Sequence, residues 1–347
     1  MRLFRKILIV AEIIVIIIFV NSNKRICTQV ITTKENPVKV AVLLYRFDDD
    51  YISLVRQSLE DIQKKNENKV QFTFYDGKNQ QSIQNASIDK LLKNENVDFI
   101  LLNLVDTKST KEVINKIKDK NIPVVLFNRE PVDIDAVKSY NKAYFVGTDS
   151  KEAGELQGKI LVDIWNKDKE AIDENGDNIM QYIMLMGEQD NIEAIDRTRY
   201  SVDTINNAGI KTQELALKVG NWKEENAKDI VKSLFLQLGN KIEVIISNND
   251  SMAIGAIEAL QEYGYNNGSK TKTIPIVGVD ALPKAQELIK KGFMTGSVLQ
   301  DPYKMAEAIY IIGMNFVEGK SPLDGTQYKA DDTGVAIRIP YQEYISK

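Results

Sequence analysis

Histidine is absent from this 347-residue chain, and cysteine occurs once, as Cys27. Without histidine the chain cannot build histidine-containing zinc sites, Ser-His-Asp or Cys-His catalytic groups, or histidine general bases. A single cysteine cannot form an internal disulfide. No nucleophile-base pair and no glycine-rich phosphate loop is evident either, so the sequence does not predict an enzyme.

Clustered positive charge is also missing. The net charge is -4, and a nucleic-acid-binding surface would need grouped Lys and Arg side chains. The composition, 43% hydrophobic and 27% charged, is that of an ordinary globular protein. The length is sufficient for two hydrophobic cores rather than one. We expect no nucleic-acid partner.

The first thirty residues differ from the rest. A basic "MRLFRK" precedes an apolar stretch that only Glu12 interrupts, which is the pattern of an export signal. Val20 and Ser22 are small enough to flank a cleavage site, but residues 3–20 also approach the length of a membrane-spanning helix. We predict a signal or anchor helix and tether over residues 1–30. The rest would work outside the cytoplasmic membrane, attached to its outer face, or secreted if the signal is cleaved.

Strands alternate with helices from residue 38 onwards. The first strand, "VKVAVLLY", is almost continuously apolar, as a buried parallel strand should be. The alternation runs to "AYFVGTD" and then begins again with "AGELQGKILVDIW". Strands separated by helices of this length predict doubly wound parallel sheets, and the length fits two α/β lobes.

Polar and aromatic residues follow several of the predicted strands. They occur in the segments "YRFDDDY", "FNREP", "GEQDNIEAIDR", "SNNDS" and "GVDALP". In open α/β sheets ligands bind beyond the carboxyl ends of the strands. Asp accepts hydrogen bonds from hydroxyl groups, Arg and Asn donate them, and Tyr or Trp stacks on the C–H face of a sugar ring. The pattern favours a polyhydroxylated small molecule as the ligand.

A family resemblance is carried by "YRFDDDYISLVR", "FNREP", "AYFVGTDSKEAG", "NKIEVIISNNDSMAIGAIEAL" and "IPIVGVDALPKA". The chain resembles the type I periplasmic sugar-binding family of ABC transporters, and within it the galactose/glucose-binding proteins. The similarity runs from about residue 39 to 341. It implies two lobes joined by a three-crossing hinge, with crossings near Gly147-Thr148, Asp301-Pro302 and Ala336-Ile337. The implied first lobe comprises residues 38–147 and 301–335, and the second comprises residues 148–300 and 336–347.

The resemblance also implies a set of sugar-binding residues. Arg129 stands where the family has Lys, and Tyr51 replaces a stacking Phe. Asn191, Glu193 and Gln300 stand where the family has His, Asp and Asn. The last two replacements each add a methylene, and a misplaced polar partner in a buried pocket costs roughly 1–3 kcal/mol. The full implied set is Asp49, Tyr51, Asn128, Arg129, Asn191, Glu193, Arg197, Trp222, Asn249, Asp280 and Gln300.

Several members of this set also have a purely structural interpretation. Asp49 could cap a helix or lie in a solvated acidic loop, and Tyr51 could merely pack between the lobes. Trp222 could belong to the core. Arg197 could be an exposed helix charge.

At two positions a nearby polar residue could take the predicted role instead, and either Asn249 or Asp250 could cap the next helix. Arg199 lies close to Arg197, and Asp250 follows Asn249. We expect Asn249 to contact the ligand and Asp250 to cap the next helix.

The stretch "DENGDNIMQ" carries oxygen-bearing side chains at alternating positions, as calcium loops do. The sequence lacks the usual Gly at position six, where Asn178 stands, and the Glu at position twelve, where Met184 stands. Asn is the non-Gly residue most suited to the left-handed conformation required at position six. From the residues alone, an acidic surface turn remains an equal alternative.

The family has a structural calcium loop here, completed by a distant Glu that matches Glu243. The implied ligands are Asp173, Asn175, Asp177, the Ile179 carbonyl, Gln181 and Glu243. A calcium ion is therefore the expected cofactor.

The expected function is extracytoplasmic binding of a monosaccharide, with galactose or glucose as the expected sugar and with lobe closure recognised by the permease of an ABC transporter. A membrane-anchored sensor subunit, read by a sensor kinase or chemoreceptor, is the alternative. The carboxylates Asp49, Glu193 and Asp280 do not by themselves indicate a glycosidase, since carboxylates are common in sugar-binding clefts. A transcriptional regulator would need a basic helix-turn-helix before residue 38. We expect a monomer.

Overall fold

Two β-sheets of six strands each, one parallel and one parallel except for an edge strand, organise the protein. The computed structural model describes residues 36–94, 96–269 and 272–346. The first sheet has the strand order β11-β5-β4-β3-β1-β2, and all its pairs are parallel. Its strands are β1 (Val38–Leu44), β2 (Val70–Asp76), β3 (Phe99–Leu102), β4 (Val124–Phe127), β5 (Ala143–Gly147) and β11 (Ala336–Arg338).

The second sheet repeats this arrangement, with the order β12-β10-β9-β8-β6-β7. Its edge strand β12 is antiparallel to β10, and the other pairs are parallel. Its strands are β6 (Ile179–Met186), β7 (Lys211–Val219), β8 (Val244–Ser247), β9 (Ile276–Asp280), β10 (Gly296–Leu299) and β12 (Gln342–Ile345).

Helices cover both faces of each sheet, so each lobe has a core on either side of its sheet. The helices of the first lobe are α1 (Asp50–Lys65), α2 (Gln81–Asn94), α3 (Thr110–Lys118), α4 (Ile134–Lys138) and α10 (Pro302–Val317). Those of the second lobe are α5 (Ser150–Lys167), α6 (Ile192–Asn207), α7 (Glu224–Leu238), α8 (Asp250–Gln261) and α9 (Pro283–Lys290). Short 3₁₀ turns occupy Thr107–Ser109, Lys169–Ala171 and Gly239–Lys241.

Helix α1 illustrates how the sequence specifies these elements. The side chain of Asp49 accepts a hydrogen bond from the Ile52 amide and so caps the first turn. Apolar residues at helical spacing, including Val55 and Leu59, are fully buried against the sheet. Lys64 and Lys65 in the last turn complement the helix dipole. At the start of α1, Asp50 accepts a hydrogen bond from the Ser251 hydroxyl of the second lobe at 2.5 Å, so this helix begins at the contact between the lobes.

The chain crosses between the lobes three times. The first crossing joins β5 to α5 through Thr148, and the second joins β10 to α10 through Gln300 and Asp301. The predicted boundary assigned residues 336–347 to the second lobe, which is wrong in part. Ala336–Arg338 pairs with β5 in the first sheet, so the third crossing lies between Arg338 and Gln342. The apolar pair Ala336-Ile337 is buried in that sheet rather than in the hinge.

Among the described residues, no helix is both long and apolar enough to cross a membrane. The predicted signal or anchor segment over residues 1–30, with Cys27, lies outside the described residues.

Candidate functional site

A polar cavity lies between the lobes, at the carboxyl ends of the strands of both sheets. The space between its lining atoms amounts to about 420 Å³, part of which is open to solvent. All eleven residues predicted as sugar contacts line it, together with one that the sequence reasoning missed, Tyr45. Tyr45 is the first residue of the segment "YRFDDDY" and directly follows β1. Its position after a strand indicates a cavity residue in the same way as for its neighbours.

Three cavity residues are also the N-caps of helices that point at the cleft. One oxygen of each side chain accepts a backbone hydrogen bond: Asp49 from Ile52, Asn191 from Ala194 and Asn249 from Met252, at 2.9, 2.9 and 3.0 Å. The cap fixes each side chain and leaves its other polar atom for a second contact. The other oxygen of Asp49 accepts from Tyr45 and Arg46, and the Asn249 amide group donates to the Trp222 carbonyl at 3.3 Å. The structural and ligand-binding interpretations of Asp49 are therefore compatible.

The predicted capping role of Asp250 is wrong, because Asn249 takes the cap of α8. The fully buried Asp250 instead accepts hydrogen bonds from the Ser297 hydroxyl at 2.6 Å and the Leu282 amide at 2.7 Å. Burial raises its pKa to about 7. Asp250 therefore fixes the ends of β9 and β10 behind the cavity wall.

Trp222 serves as both core and cavity wall. It packs in an apolar cluster of the second lobe and also lines the cavity. Gly187 makes this placement possible, because a Cβ at that position would lie 2.2 Å from the indole ring. The Arg197 guanidinium lies 5.8 Å from the centre of that ring. An aromatic face beside charged donors suits the C–H face and the hydroxyls of a sugar.

Arg197, and not Arg199, belongs to the cavity. Arg197 is 4% exposed, whereas the side chain of Arg199 is 68% exposed and pairs with Asp203 on the same helix face. The Arg197 guanidinium donates to the Asn248 carbonyl at 2.8 Å and to the Gln300 side-chain oxygen at 3.2 Å. It is therefore held at the second crossing.

Buried charges of both signs face the cavity. Arg129, from the first lobe, donates to Glu188 of the second lobe at 2.7 Å and lies over the Tyr45 ring, whose hydroxyl donates to Asp49. Glu193 accepts a hydrogen bond from the Glu130 amide of the first lobe at 2.7 Å. These contacts cross the cleft, so the structure is that of a closed form.

Burial raises the pKa values of the two cavity carboxyl groups that come from the second lobe, Glu193 and Asp280. Burial raises the pKa of Glu193, against the lowering effect of its hydrogen bonds. Burial also raises the pKa of Asp280, and Asp250 and Asp49 add to this rise while Arg197 opposes it. Hydroxyl groups of a ligand can satisfy such carboxyls in either protonation state.

Several buried polar atoms of the cavity have no hydrogen-bond partner among the described residues. A buried polar atom without a partner costs roughly 1–3 kcal/mol, so a ligand that pairs these atoms gains that energy. Both donors and acceptors are represented, which matches a ligand rich in hydroxyl groups. The atoms are Tyr51 Oη, Arg129 Nε, Glu193 Oε2, Arg197 Nε, Trp222 Nε1 and Gln300 Nε2.

The backbone at the cavity is strained. Asn128, Trp222 and Asp280 have φ angles of 64°, 64° and 115°, and non-glycine residues rarely adopt positive φ. Such strain is maintained when the surrounding structure fixes the residue, and it is concentrated at functional sites.

The six predicted calcium ligands lie together at the start of β6 and β8. The backbone amide of Gln181 donates to a carboxylate oxygen of Glu243 at 3.0 Å. The side-chain amide of Gln181 donates to a carboxylate oxygen of Asp177 at 2.8 Å. Asn175 donates to the Gln181 side-chain oxygen at 3.3 Å. Asn178 has a φ of 66°, the left-handed conformation predicted for it.

The donor set of this loop fits a hard cation. One carboxylate oxygen of Asp173 and one of Glu243 are buried without a partner. Burial raises the pKa of Glu243 to about 7, and the neighbouring Asp173 and Asp177 add to this rise. Within the described ranges no group of three or more Asp, Glu, Cys or His residues is close enough to hold a metal by itself. A cation would therefore also need the amide and main-chain oxygens of the loop.

Fold and site together define a two-lobed binding protein that encloses a small polar ligand between its lobes. The chain belongs to the family described as periplasmic binding protein domain, which matches residues 40–321. The predicted family and the two-lobed doubly wound fold are thus confirmed. This family consists of solute-binding proteins rather than enzymes.

Similar proteins agree with this assignment. The D-galactose/methyl-galactoside binding periplasmic protein MglB of Haemophilus influenzae is 40% identical over 304 residues, covering 87% of this chain and 88% of that protein. A putative rhizopine-binding protein of Rhizobium meliloti is 29% identical over 78% of this chain and 82% of its own length. An ABC transporter solute binding protein from Bacillus halodurans, solved with myo-inositol, is similar in fold with a TM-score of 0.73. It is 23% identical, and the match covers 90% of this chain and 96% of that one.

Proposed function

We propose that this protein binds a monosaccharide in the cavity between its lobes, and that galactose and glucose are the first candidates. The observation that carries the proposal is the set of six buried, unpartnered donors and acceptors around the cavity, two of which belong to the aromatic side chains of Trp222 and Tyr51. A hexose offers hydroxyl groups for these atoms and an apolar C–H face for the aromatic rings. The relative named for D-galactose and methyl-galactoside binding supports the same choice.

The three departures from the family pattern determine which sugar fits. Asn191 uses its side-chain oxygen as a helix cap, so its amide group supplies a donor to the cavity. Glu193 uses one oxygen on the Glu130 amide and keeps the other for the ligand. Gln300 has an unpartnered amide nitrogen. A sugar that places an acceptor near Asn191 and Gln300, and a donor near Glu193, is therefore preferred.

We further propose that a membrane protein recognises the closed form, and that this partner is the permease of an ABC transporter. The proposed location is outside the cytoplasmic membrane, with the apolar residues 3–20 as signal or anchor. A sensor subunit is the alternative role for an anchored copy. The proposed state is a monomer without enzymatic activity, in which binding energy drives lobe closure.

A structural calcium ion in the loop from Asp173 to Gln181, completed by Glu243, is also proposed. The two unpartnered carboxylate oxygens of Asp173 and Glu243 support it. The ion would neutralise carboxyl groups that repel one another and would fix the loop to β8. No group of the sugar cavity takes part in this loop.

Titration calorimetry of the full chain with glucose, galactose, xylose and ribose, at constant calcium, tests the proposed function. Micromolar or tighter binding of glucose or galactose is the expected result, with the sugar recovered chemically unchanged. If a pentose alone binds, Asn191, Glu193 and Gln300 have changed the specificity. Absence of heat with all four sugars would refute the proposed ligand.

A further inference from the structure

Tyr341 lies in the third crossing, between β11 and β12, and the sequence reasoning did not identify it. Its side chain is 4% exposed and packs in an apolar cluster of the second lobe. It does not line the cavity. Its hydroxyl group nevertheless contacts Arg197 and Gln300, which line the cavity.

The Tyr341 hydroxyl brings together side chains from the cavity and from both other crossings. Arg197 Nη2 donates to it at 2.8 Å. It shares a 2.8 Å hydrogen bond with the hydroxyl of Thr148, in the first crossing. It also lies 3.5 Å from the side-chain oxygen of Gln300, in the second crossing. One oxygen atom is thus within hydrogen-bond reach of all these groups.

Hydrogen bonds to main-chain carbonyls, one from an amide and one from the Arg338 side chain, bring the first and third crossings together around this point. The Ile339 amide donates to the Gly147 carbonyl at 2.8 Å, and Arg338 donates to the Thr148 carbonyl at 3.2 Å. The same Arg338 forms a two-pronged ion pair with Glu130, at 2.6 Å for each hydrogen bond. Glu130 is the residue whose amide holds Glu193 in the cavity.

The chemistry of a phenol suits this position. A tyrosine hydroxyl accepts from Arg197 and still has one proton to donate, so it can satisfy two neighbours at once. Burial raises its pKa, although Arg197 and Thr148 oppose that rise, and the group stays protonated at neutral pH. The guanidinium of Arg197 thereby keeps its Nε free for the ligand, because its two terminal nitrogens are held by protein.

We propose that Tyr341 is a positioning residue that orients Arg197 for the ligand and links it to the three hinge crossings. This inference rests on the proposed function. Opening the lobes changes the backbone at the crossings, and the shared hydrogen bonds transmit that change to the Arg197 guanidinium. The ligand contact made by Arg197 is therefore strongest in the closed form, so the hydrogen bonds of the Tyr341 hydroxyl couple ligand binding to lobe closure.

Calorimetry on the full chain tests the proposal with Tyr341→Phe, Arg197→Lys and the double variant. Tyr341→Phe keeps the ring and removes the hydroxyl, and we expect it to weaken binding of the preferred sugar roughly tenfold or more. In the Arg197→Lys background, Tyr341→Phe should weaken sugar binding less than twofold, because Tyr341 acts through the guanidinium that this background lacks. Fully additive losses would overturn the proposal, as would wild-type affinity in Tyr341→Phe.

Tyr140→Phe is the matched control. Tyr140 is equally buried at 4% exposure, and its hydroxyl donates to the Ile122 carbonyl in the first lobe, away from the cavity. We expect it to lower the unfolding midpoint in urea while leaving sugar affinity unchanged. An equal loss of affinity in Tyr140→Phe and Tyr341→Phe would mean a general packing effect and would overturn the proposal.

A second cycle separates this inference from the proposed function. If the wild-type chain binds none of the four sugars, the proposed function fails, but the hinge contact is still testable by urea unfolding. Tyr341→Phe and Thr148→Val should then show non-additive losses of unfolding free energy, because they remove the same hydrogen bond. Additive losses in that cycle would overturn the link between the crossings.

Discussion

Individual residues of the cavity combine structural and binding roles. Asp49, Asn191 and Asn249 each use one oxygen to cap a helix, so their orientation is fixed before a ligand arrives. Such preorganisation lowers the entropy cost of binding. Trp222 likewise completes an apolar cluster with one part of its surface and the cavity with another. A substitution at any of these positions therefore changes both stability and affinity.

The two tryptophans of the chain allow these effects to be separated. Trp222 and Trp165 are 8% and 5% exposed, and both lie in the second lobe, but Trp165 does not line the cavity. We expect Trp222→Ala to lower sugar affinity by about 10- to 100-fold, because a stacking surface and an indole donor are lost. Trp165→Ala should lower the melting temperature and leave affinity within twofold. Calorimetry and thermal unfolding on both variants give the comparison, and equal affinity losses would contradict it.

At the scale of the secondary-structure elements, the loop before β6 should make the free energy of unfolding depend on pH. Burial, with Asp173 and Asp177, raises the pKa of Glu243 from 4.5 to about 7. Without a cation, Glu243 in the folded state therefore holds a proton between pH 4.5 and about 7, whereas in the unfolded state it has already released that proton. Stability should fall as pH rises through this window. A cation needs the ionised carboxylate, so its stabilising effect should grow over the same window.

Thermal unfolding at pH 5 and 7.5, with excess calcium or with chelator, measures this linkage. We expect calcium to raise the melting temperature by several degrees at pH 7.5 and by less at pH 5. Glu243→Gln should abolish most of the calcium effect. Glu214→Gln is the control, because Glu214 lies on the adjacent strand β7 and outside the loop. A calcium response that is independent of pH and of Glu243 would argue against the proposed site.

At the scale of the whole molecule, two ion pairs close the mouth of the cleft. Arg129 and Glu188 pair at 2.7 Å with side chains that are 9% and 21% exposed. Lys108 and Asp190 pair at 2.8 Å but are largely exposed. Exposed pairs contribute little because water and salt screen them, whereas a desolvated pair is costly to break. The buried pair should therefore hold the closed form.

Stopped-flow measurement of sugar release tests this difference. We expect Glu188→Gln to accelerate dissociation roughly tenfold, because the Arg129 charge then lacks its partner in the closed form. Asp190→Asn should change the rate less than twofold. If both substitutions accelerate release equally, closure depends on the total charge at the cleft mouth rather than on the buried pair.

Much of this protein follows from the sequence alone. The alternation of buried strands with amphipathic helices specifies two doubly wound sheets, because the hydrophobic period differs between strand and helix. Polar residues after the strands specify a ligand site, since parallel strands bring their carboxyl ends to one edge. All eleven residues that the family resemblance implied as sugar contacts line the cavity, and nine of them come from the segments after these strands.

Tertiary structure decided what depends on contacts between distant residues. Whether Asn249 or Asp250 caps α8 follows from Ser297 and Leu282, which give Asp250 other partners. The position of the third crossing follows from the pairing of Ala336–Arg338 with β5. The role proposed for Tyr341 arises because the crossings converge on its hydroxyl, although its hydrogen-bond partners Arg197 and Thr148 lie 144 and 193 residues away in sequence. Local pattern fixes the period and polarity of each segment, whereas such partners are set by how the elements pack.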